Sequence, residues 1–396
     1  MATESLYGLS IGMFNLLLNL HLIELGISER QIGLITSIGI LVMGLFAIPV
    51  SILAKKTGRK KLLIIGIGCI AVGCSVFAFS KSFALFLTAQ FIVSLGLTLV
   101  ETTEIQLLFY YCRSIKEETQ AYSFMFAVFT AFTGVGTLMA GLLPDWIDLT
   151  ARGYRNTLLV AAFVFIVLAV VRAALLPKEQ LGNSLPRVQK NLFIRIPHPL
   201  RKKLIWFSLF AFVTGGAAAC LQPYLNLFAK FRYDFSNEIV SIILALNGLA
   251  LFIGSVISPF LIERMGLKKT FFLIYSVNMV LCGLLFLNVQ PFFFSVLLVI
   301  RGGFFTILTN LADSLSMSSF KDEERDLYAG MRAVFRSIGS AMAAFAIGGI
   351  LADRNYTLPF FISGLLLLLG YLYFVIVIAP KLDDSNQEVH KAINEI

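Results

Sequence analysis

The sequence predicts an all-α membrane protein, with about twelve transmembrane helices in two parallel six-helix repeats. Three observations lead there: a very apolar composition, polar breaks at helix-length intervals, and a pattern that returns after half the chain. Of 396 residues, 58% are hydrophobic and only 14% charged, and the mean hydropathy is +0.85. That leaves too little polar surface to cover a soluble particle of this size. Because a bilayer-spanning helix takes about 20 apolar residues, spans use up most of the chain and the loops are short.

Breaking the chain at its polar clusters gives candidate helices over 5–25, 30–54, 61–80, 83–111, 120–144 and 156–176, then 204–227, 237–262, 269–288, 292–318, 326–352 and 359–380. The first has no basic leader and is too long for a signal-peptide core, so it is expected to be retained. Two bundles follow, 1–176 and 204–380, joined by a linker over 177–203. The linker holds Pro186, Pro197 and Pro199 among seven cations and is expected in the cytoplasm. Residues 381–396 read as a polar cytoplasmic tail.

Assigning alternate loops to opposite sides collects Lys55, Lys56, Arg59, Lys60, Lys61, Arg264, Lys268, Lys269 and the linker cations on one side. This bias places both termini in the cytoplasm of a multi-pass cell-membrane protein. It also accounts for the formal charge of +9 without a nucleic-acid partner, which would need its cations on one solvated face or tail. The five cysteines lie in or at the ends of apolar segments without CxxC spacing or a nearby His, so neither a metal site nor a cofactor is expected.

The repeat is legible in several places. Lys55-Lys56-Thr57-Gly58-Arg59-Lys60-Lys61 is answered by Glu263-Arg264-Met265-Gly266-Leu267-Lys268-Lys269, the glycines 208 residues apart. Tyr122-x-x-Met125-x-Ala127-Val128-Phe129 returns as Tyr328-x-x-Met331-x-Ala333-Val334-Phe335 after 206, and Leu18-Asn19-Leu20 as Leu225-Asn226-Leu227 after 207. Even-numbered halves keep one orientation, so the repeats are parallel.

A six-plus-six chain with a Gly-Arg-Lys-Lys loop after its second segment resembles the major facilitator superfamily, especially its drug and metabolite efflux members. In that family the loop reads roughly Gly-x-Leu-Ala-Asp-Arg-x-Gly-Arg-Arg/Lys-Lys. Leu53, Ala54, Gly58, Arg59, Lys60 and Lys61 match it, whereas Ser51 replaces the first Gly and Lys55 the Asp. The motif acid implies a latch on the cytoplasmic gate, so the resemblance implies a weak latch at Lys55 and a better one at Glu263, flanked by Arg264 and Gly266. The fifth segment has Gly134, Gly136, Gly141 and Pro144 without the antiporter Gly-Pro and Gly-Gly pairs, and the fourth lacks the antiporter Arg. The resemblance implies alternating access by a monomer that carries a small molecule, with protons as the coupling ion.

An ionisable side chain inside lipid costs about 2.5–3.5 kcal/mol at mid-helix, which singles out a few candidates. Glu101 and Glu104 are spaced i, i+3 and share a face, a geometry suited to holding a proton. Arg332 and Arg336 are spaced i, i+4, whereas their repeat partners are Phe126 and Thr130. They are candidate anion ligands or counter-ions to the two glutamates. Arg301, Asn310 and Asp313 share the tenth segment, with Asp313 a possible partner of Arg332. Asn15, Asn19 and His21 on the first segment, with Gln222, Tyr224 and Asn226 on the seventh, are candidate cavity residues. Asn19 and Asn226 are expected to meet across the repeat axis, and Phe124, Phe126 and Phe129 are candidates for an aromatic wall. Export in exchange for protons is the leading expectation, with proton-coupled import of a nutrient or organic anion as the alternative. No nucleophile-base pair or phosphate loop marks an enzyme, and a receptor that binds without transport is the reading from another class.

Overall fold

A backbone in lipid has to satisfy its own hydrogen bonds, and helices do so within one segment. The computed structural model describes residues 2–112, 114–147, 153–177 and 198–380, so the tail and most of the linker expected above lie outside the described residues. Twelve helices are long and apolar enough to cross a membrane, and among the described residues there is no strand. The first half comprises α1 (Ala2–Glu24), α2 (Glu29–Thr57), α3 (Arg59–Phe79), α4 (Phe83–Tyr111), α5 (Ile115–Ile147) and α6 (Gly153–Leu175). The second comprises α7 (His198–Ala219), α8 (Leu225–Phe231), α9 (Asn237–Met265), α10 (Leu267–Phe286), α11 (Pro291–Ser318), α12 (Asp322–Ala352) and α13 (Leu358–Tyr373).

The seventh span departs from the continuous helix expected over 204–227. It breaks after Ala219, passes through a 3₁₀ turn at Gln222–Tyr224 and resumes as α8. Pro223 supplies the reason: it has no N–H to donate, and its ring disrupts the preceding helical turn. The last span also ends differently from expectation, α13 continuing into one π turn at Phe374–Ile378.

The two signature loops are built alike. Gly58 joins α2 to α3 at φ +91° and Gly266 joins α9 to α10 at φ +73°, a region that glycine enters without steric cost. A Cβ at Gly266 would touch nothing within 4 Å, so the strain of a substitution is in the backbone alone. Gly266→Ala is therefore expected to cost about 1–3 kcal/mol, read as a lowered midpoint of thermal unfolding in detergent.

We call the face where α1 begins the terminal face and the opposite one the distal face. The halves meet through α2 with α12 and α5 with α9. Gly33 and Gly348 let α2 and α12 touch near the distal face, where a Cβ on Gly348 would come 2.5 Å from the Gly33 Cα. Ser37 Oγ donates to the Ala341 carbonyl at 2.9 Å one turn further in. On the other flank Tyr154 Oη donates to Asn237 Oδ1 at 2.8 Å, and Gly141 makes room for Ser241. The first half's buried core runs on through Cys220–Ala229 and Ala344–Leu351 towards the distal face. A separate core around Phe207, Phe271, Tyr328 and Phe374 packs the terminal side of the second half. The core shared by the halves thus lies on the distal side, while close contacts of Gly44 with Ser337 and of Gly330 with Ile48 carry the α2–α12 interface towards the terminal side.

Candidate transport site

The distal seal is built from paired repeat positions. Asn19 Nδ2 donates to the Pro223 carbonyl at 2.8 Å and to Asn226 Oδ1 at 3.1 Å, while Asn226 Nδ2 donates to the Leu16 carbonyl at 2.9 Å. Both side chains are buried, so the amides satisfy each other and the backbone freed by the helix break. Tyr224, placed among the cavity residues by sequence, is fully buried and donates to the Ala344 carbonyl of α12 at 2.6 Å. It is a packing group of the seal, because the break turns it away from open space. His21 is also buried, with Nδ1 3.6 Å from Glu24 Oε2.

One turn below the seal two polar side chains face open space. Asn15 is the single exposed residue between Thr3 and Leu22, and Gln222 the single one between Phe207 and Ala229. They are 207 residues apart, the same shift that relates Asn19 to Asn226, so they hold equivalent positions in the two halves.

Glu101 of α4 is also exposed. Ideal helix geometry puts it about 80° around the helix from Phe91 and Phe109 and further from Leu85 and Thr88, the exposed residues of the lipid face. Its neighbours Val100 and Thr103 are buried, so its exposure belongs to a second, polar face.

Glu104 has a different setting. Its Oε1 lies 2.6 Å from Arg172 Nη1 of α6, and Arg172 Nη2 donates to Glu4 Oε1 of α1. Tyr7 covers the guanidinium, its ring centroid 5.6 Å from Cζ. The expected counter-ion role of Arg332 and Arg336 towards Glu101 and Glu104 is therefore corrected: α6 supplies the cation of the first half. Sequence reasoning missed Glu4 and Arg172 because each lies near the end of its segment, where a charged side chain ordinarily snorkels to water. The available signal was Arg172 inside an otherwise apolar run.

On the second half Arg332 Nη2 donates to Asp313 Oδ2 at 3.0 Å, and Arg336 Nη1 donates to the same oxygen at 3.0 Å. All three are partly exposed, at 23%, 32% and 37% for Arg332, Arg336 and Asp313. Gly215 of α7 makes room for the Arg336 stem, since a Cβ there would sit 2.7 Å from its Cγ. Two cations on one acid leave this cluster with a surplus positive charge. Arg301 is instead buried, donating to Ser363 Oγ at 3.3 Å with Cζ 4.8 Å from the Phe305 ring centre. Ser363 in turn donates to the Ala217 carbonyl at 3.0 Å in the last turn of α7, so Arg301 backs the break, where a helix C-terminus favours a cation. Asn310 Nδ2 donates to Ser255 Oγ at 3.2 Å and ties α11 to α9. Phe124 is exposed, Phe126 stacks on Phe252 across the halves, and Phe129 packs on Tyr7. Among the described residues no group of His, Cys, Asp or Glu is arranged to hold a metal.

The Major Facilitator Superfamily model matches residues 1–344 and 233–395, together nearly the whole chain. The chain belongs to the major facilitator superfamily. It is 21% identical over 327 residues to multidrug resistance protein 2 of Bacillus subtilis (strain 168), spanning 80% of this chain and 78% of that one. It is 23% identical over 281 residues to the sialic acid transporter NanX of Escherichia coli (strain K12), 68% of this chain and 66% of that one. Among solved structures, the inward-facing, unoccupied form of a bacterial homologue of the lysosomal transporter Spinster superposes with a TM-score of 0.74 at 12% identity, over 97% of this chain and 96% of that one. As a member of this superfamily the protein is a secondary transporter and not an enzyme.

The superfamily's loop motif is held unequally in the two halves. Arg59 Nε donates to Gln106 Oε1 at 3.3 Å, and Lys60 Nζ donates to the Ala173 carbonyl at 3.0 Å and to that of Leu176 at 2.5 Å, gathering the ends of α3, α4 and α6. Glu263 and Arg264 are exposed, and Glu263 makes no ion pair with another described residue. In this conformation the cations of the first loop are held by neighbouring helices, whereas Glu263 and Arg264 stand exposed. Carbonyls at a helix end and an amide are among the first loop's anchors.

Proposed function

We propose that the protein exchanges a small organic molecule for protons by alternating access, working from a site formed by Asn15, Gln222, Glu101 and Arg336. The observation that carries this reading is Glu101, an acid exposed at membrane depth on a face turned away from lipid. A charged group there is costly, and such residues mark substrate or ion pathways. The basic bias of the terminal-side loops supports a cytoplasmic position in the cell membrane for that face and both termini. The conformation described is then open inward, with the seal of Asn19, Asn226 and Tyr224 on the outer side. The likeness to multidrug resistance protein 2 supports export.

A second reading, proton-coupled import of an organic anion, is favoured by the surplus cation of the Arg332, Arg336 and Asp313 cluster and by the likeness to a sialic acid transporter. Both readings meet one experiment. A thermal-shift screen of drugs and organic acids on purified protein selects ligands, and counterflow in proteoliposomes confirms carriage. In the Glu101→Gln/Glu104→Gln variant, transport driven by a pH gradient is expected to vanish. Full gradient-driven flux in that variant rejects the coupling, and the direction of substrate-driven proton movement separates export from import. Ligand binding without counterflow would indicate a receptor.

A further inference from the structure

We propose that Glu4, Glu104 and Arg172 form a one-proton binding site inside the first half, which loads and empties through the terminal face by a route separate from the substrate space. The inference rests on the proton-coupled reading above and assigns the proton to a different acid from the one that faces substrate.

Charge balance is the starting point. Two carboxylates bind one guanidinium, one at each Nη, so the fully ionised cluster carries a surplus negative charge. Arg172 is 2% exposed, Glu4 6% and Glu104 13%, and an uncompensated charge in so dry a place is strongly disfavoured. One proton removes the surplus, and both carboxyl groups are held on the one guanidinium. Like-charged carboxyls held together ordinarily bind a single proton between them.

A second observation points into the same place. Arg172 Nη1 and Glu104 Oε1 are 2.6 Å apart, and both atoms are shielded from solvent. They border a cavity of about 90 Å³ whose wall includes Thr3, Leu108, Tyr111, Met125 and Leu176. The cavity is polar enough at the cluster and large enough to hold water. Thr3, Tyr111 and Leu176 belong to the ends of α1, α4 and α6 on the terminal face, so water there links the cluster to that side.

Among the neighbouring charges, the terminal amino group offsets part of the surplus on Glu4. From α1 comes the neutral Tyr7 ring, and from α4 Tyr111, whose Oη donates to the Pro177 carbonyl. From α3, Lys60 is committed to carbonyls of Ala173 and Leu176, and α5 contributes only the uncharged Met125 to the cavity. Glu101, one turn along α4, adds negative charge and so favours the proton. The second half has no copy of the cluster: after the 207-residue shift the positions are Ala211, Leu311 and Ala379.

Infrared difference spectroscopy on the full chain in lipid, stepped between about pH 8 and pH 5, tests this through the carbonyl stretch of a protonated carboxyl. The wild type is expected to show a band that titrates. Glu4→Gln and Glu104→Gln are each expected to abolish it, because either substitution leaves one carboxylate matched to one guanidinium and no surplus to neutralise. Glu101→Gln keeps the band. No such band in the wild type, or one that survives both single substitutions, overturns the site. Leu108→Trp, which fills the cavity, is expected to slow appearance of the band after a pH jump by at least about tenfold, and an unchanged rate overturns the route. Failure of the functional reading is read separately, as a wild type that keeps the titrating band while its substrate moves without protons.

Discussion

Arg172→Gln is expected to lower stability by about 3–5 kcal/mol at pH 8, the range for breaking a buried ion pair by removing one partner. The guanidinium is the shared partner of Glu4 and Glu104, and Tyr7 closes over it. Without it two carboxylates face each other in a dry site, and no other described cation reaches them. The loss is expected to shrink towards pH 5, because protonated carboxyls tolerate burial and ionised ones do not. Adding Glu104→Gln to Arg172→Gln is expected to restore part of the loss. Thermal unfolding of the three proteins across pH measures this, and a loss independent of pH would show that Arg172 acts by packing alone.

Gly348→Leu is expected to weaken the distal seal. Its Cβ would meet the Gly33 Cα at 2.5 Å and the Glu29 carbonyl oxygen at 2.8 Å, and both are backbone atoms that move only if α2 and α12 separate. Overpacking of this kind costs about 1–3 kcal/mol. Charged to the sealed state alone, that is a shift of about 5- to 150-fold in its equilibrium with the open one. Hydrogen exchange of the amides around Asn19 and Asn226 reads the change directly. Faster exchange there with unchanged exchange in α3 and α10 is the expected result, whereas a uniform increase would indicate general destabilisation.

Much of the fold was legible because lipid limits the choices. Apolar runs of spanning length, glycines at both signature loops and matched motifs after about half the chain specified the spans and their duplication. The pairing of Asn19 with Asn226 was legible for the same reason, since both occupy one repeat position. The break in the seventh span was written in Pro223 but masked by hydropathy, which carries on unchanged through the proline.

Partner choice among the charged residues was not legible. Arg332 and Arg336 stand one turn apart on α12, and a sequence offers Glu101, Glu104 and Asp313 as equal candidates for them. The structure gives both cations to Asp313 and gives Glu104 to Arg172, because α6 packs beside α1 within the first half and α11 meets α12 within the second.

The sequence by itself determined a twelve-span chain of two related halves, the glycine turns between second and third helices of each, and the scarcity of charge in its spans. These follow from local hydropathy and from spacing along one chain. Only the tertiary structure decided that Tyr224 is buried in the seal, that Asn15 and Gln222 are exposed among buried neighbours, and that Glu4 joins Glu104 on one arginine. Those outcomes depend on how helices distant in sequence are rotated against each other. In a protein whose spans are apolar all round, hydropathy does not encode that rotation.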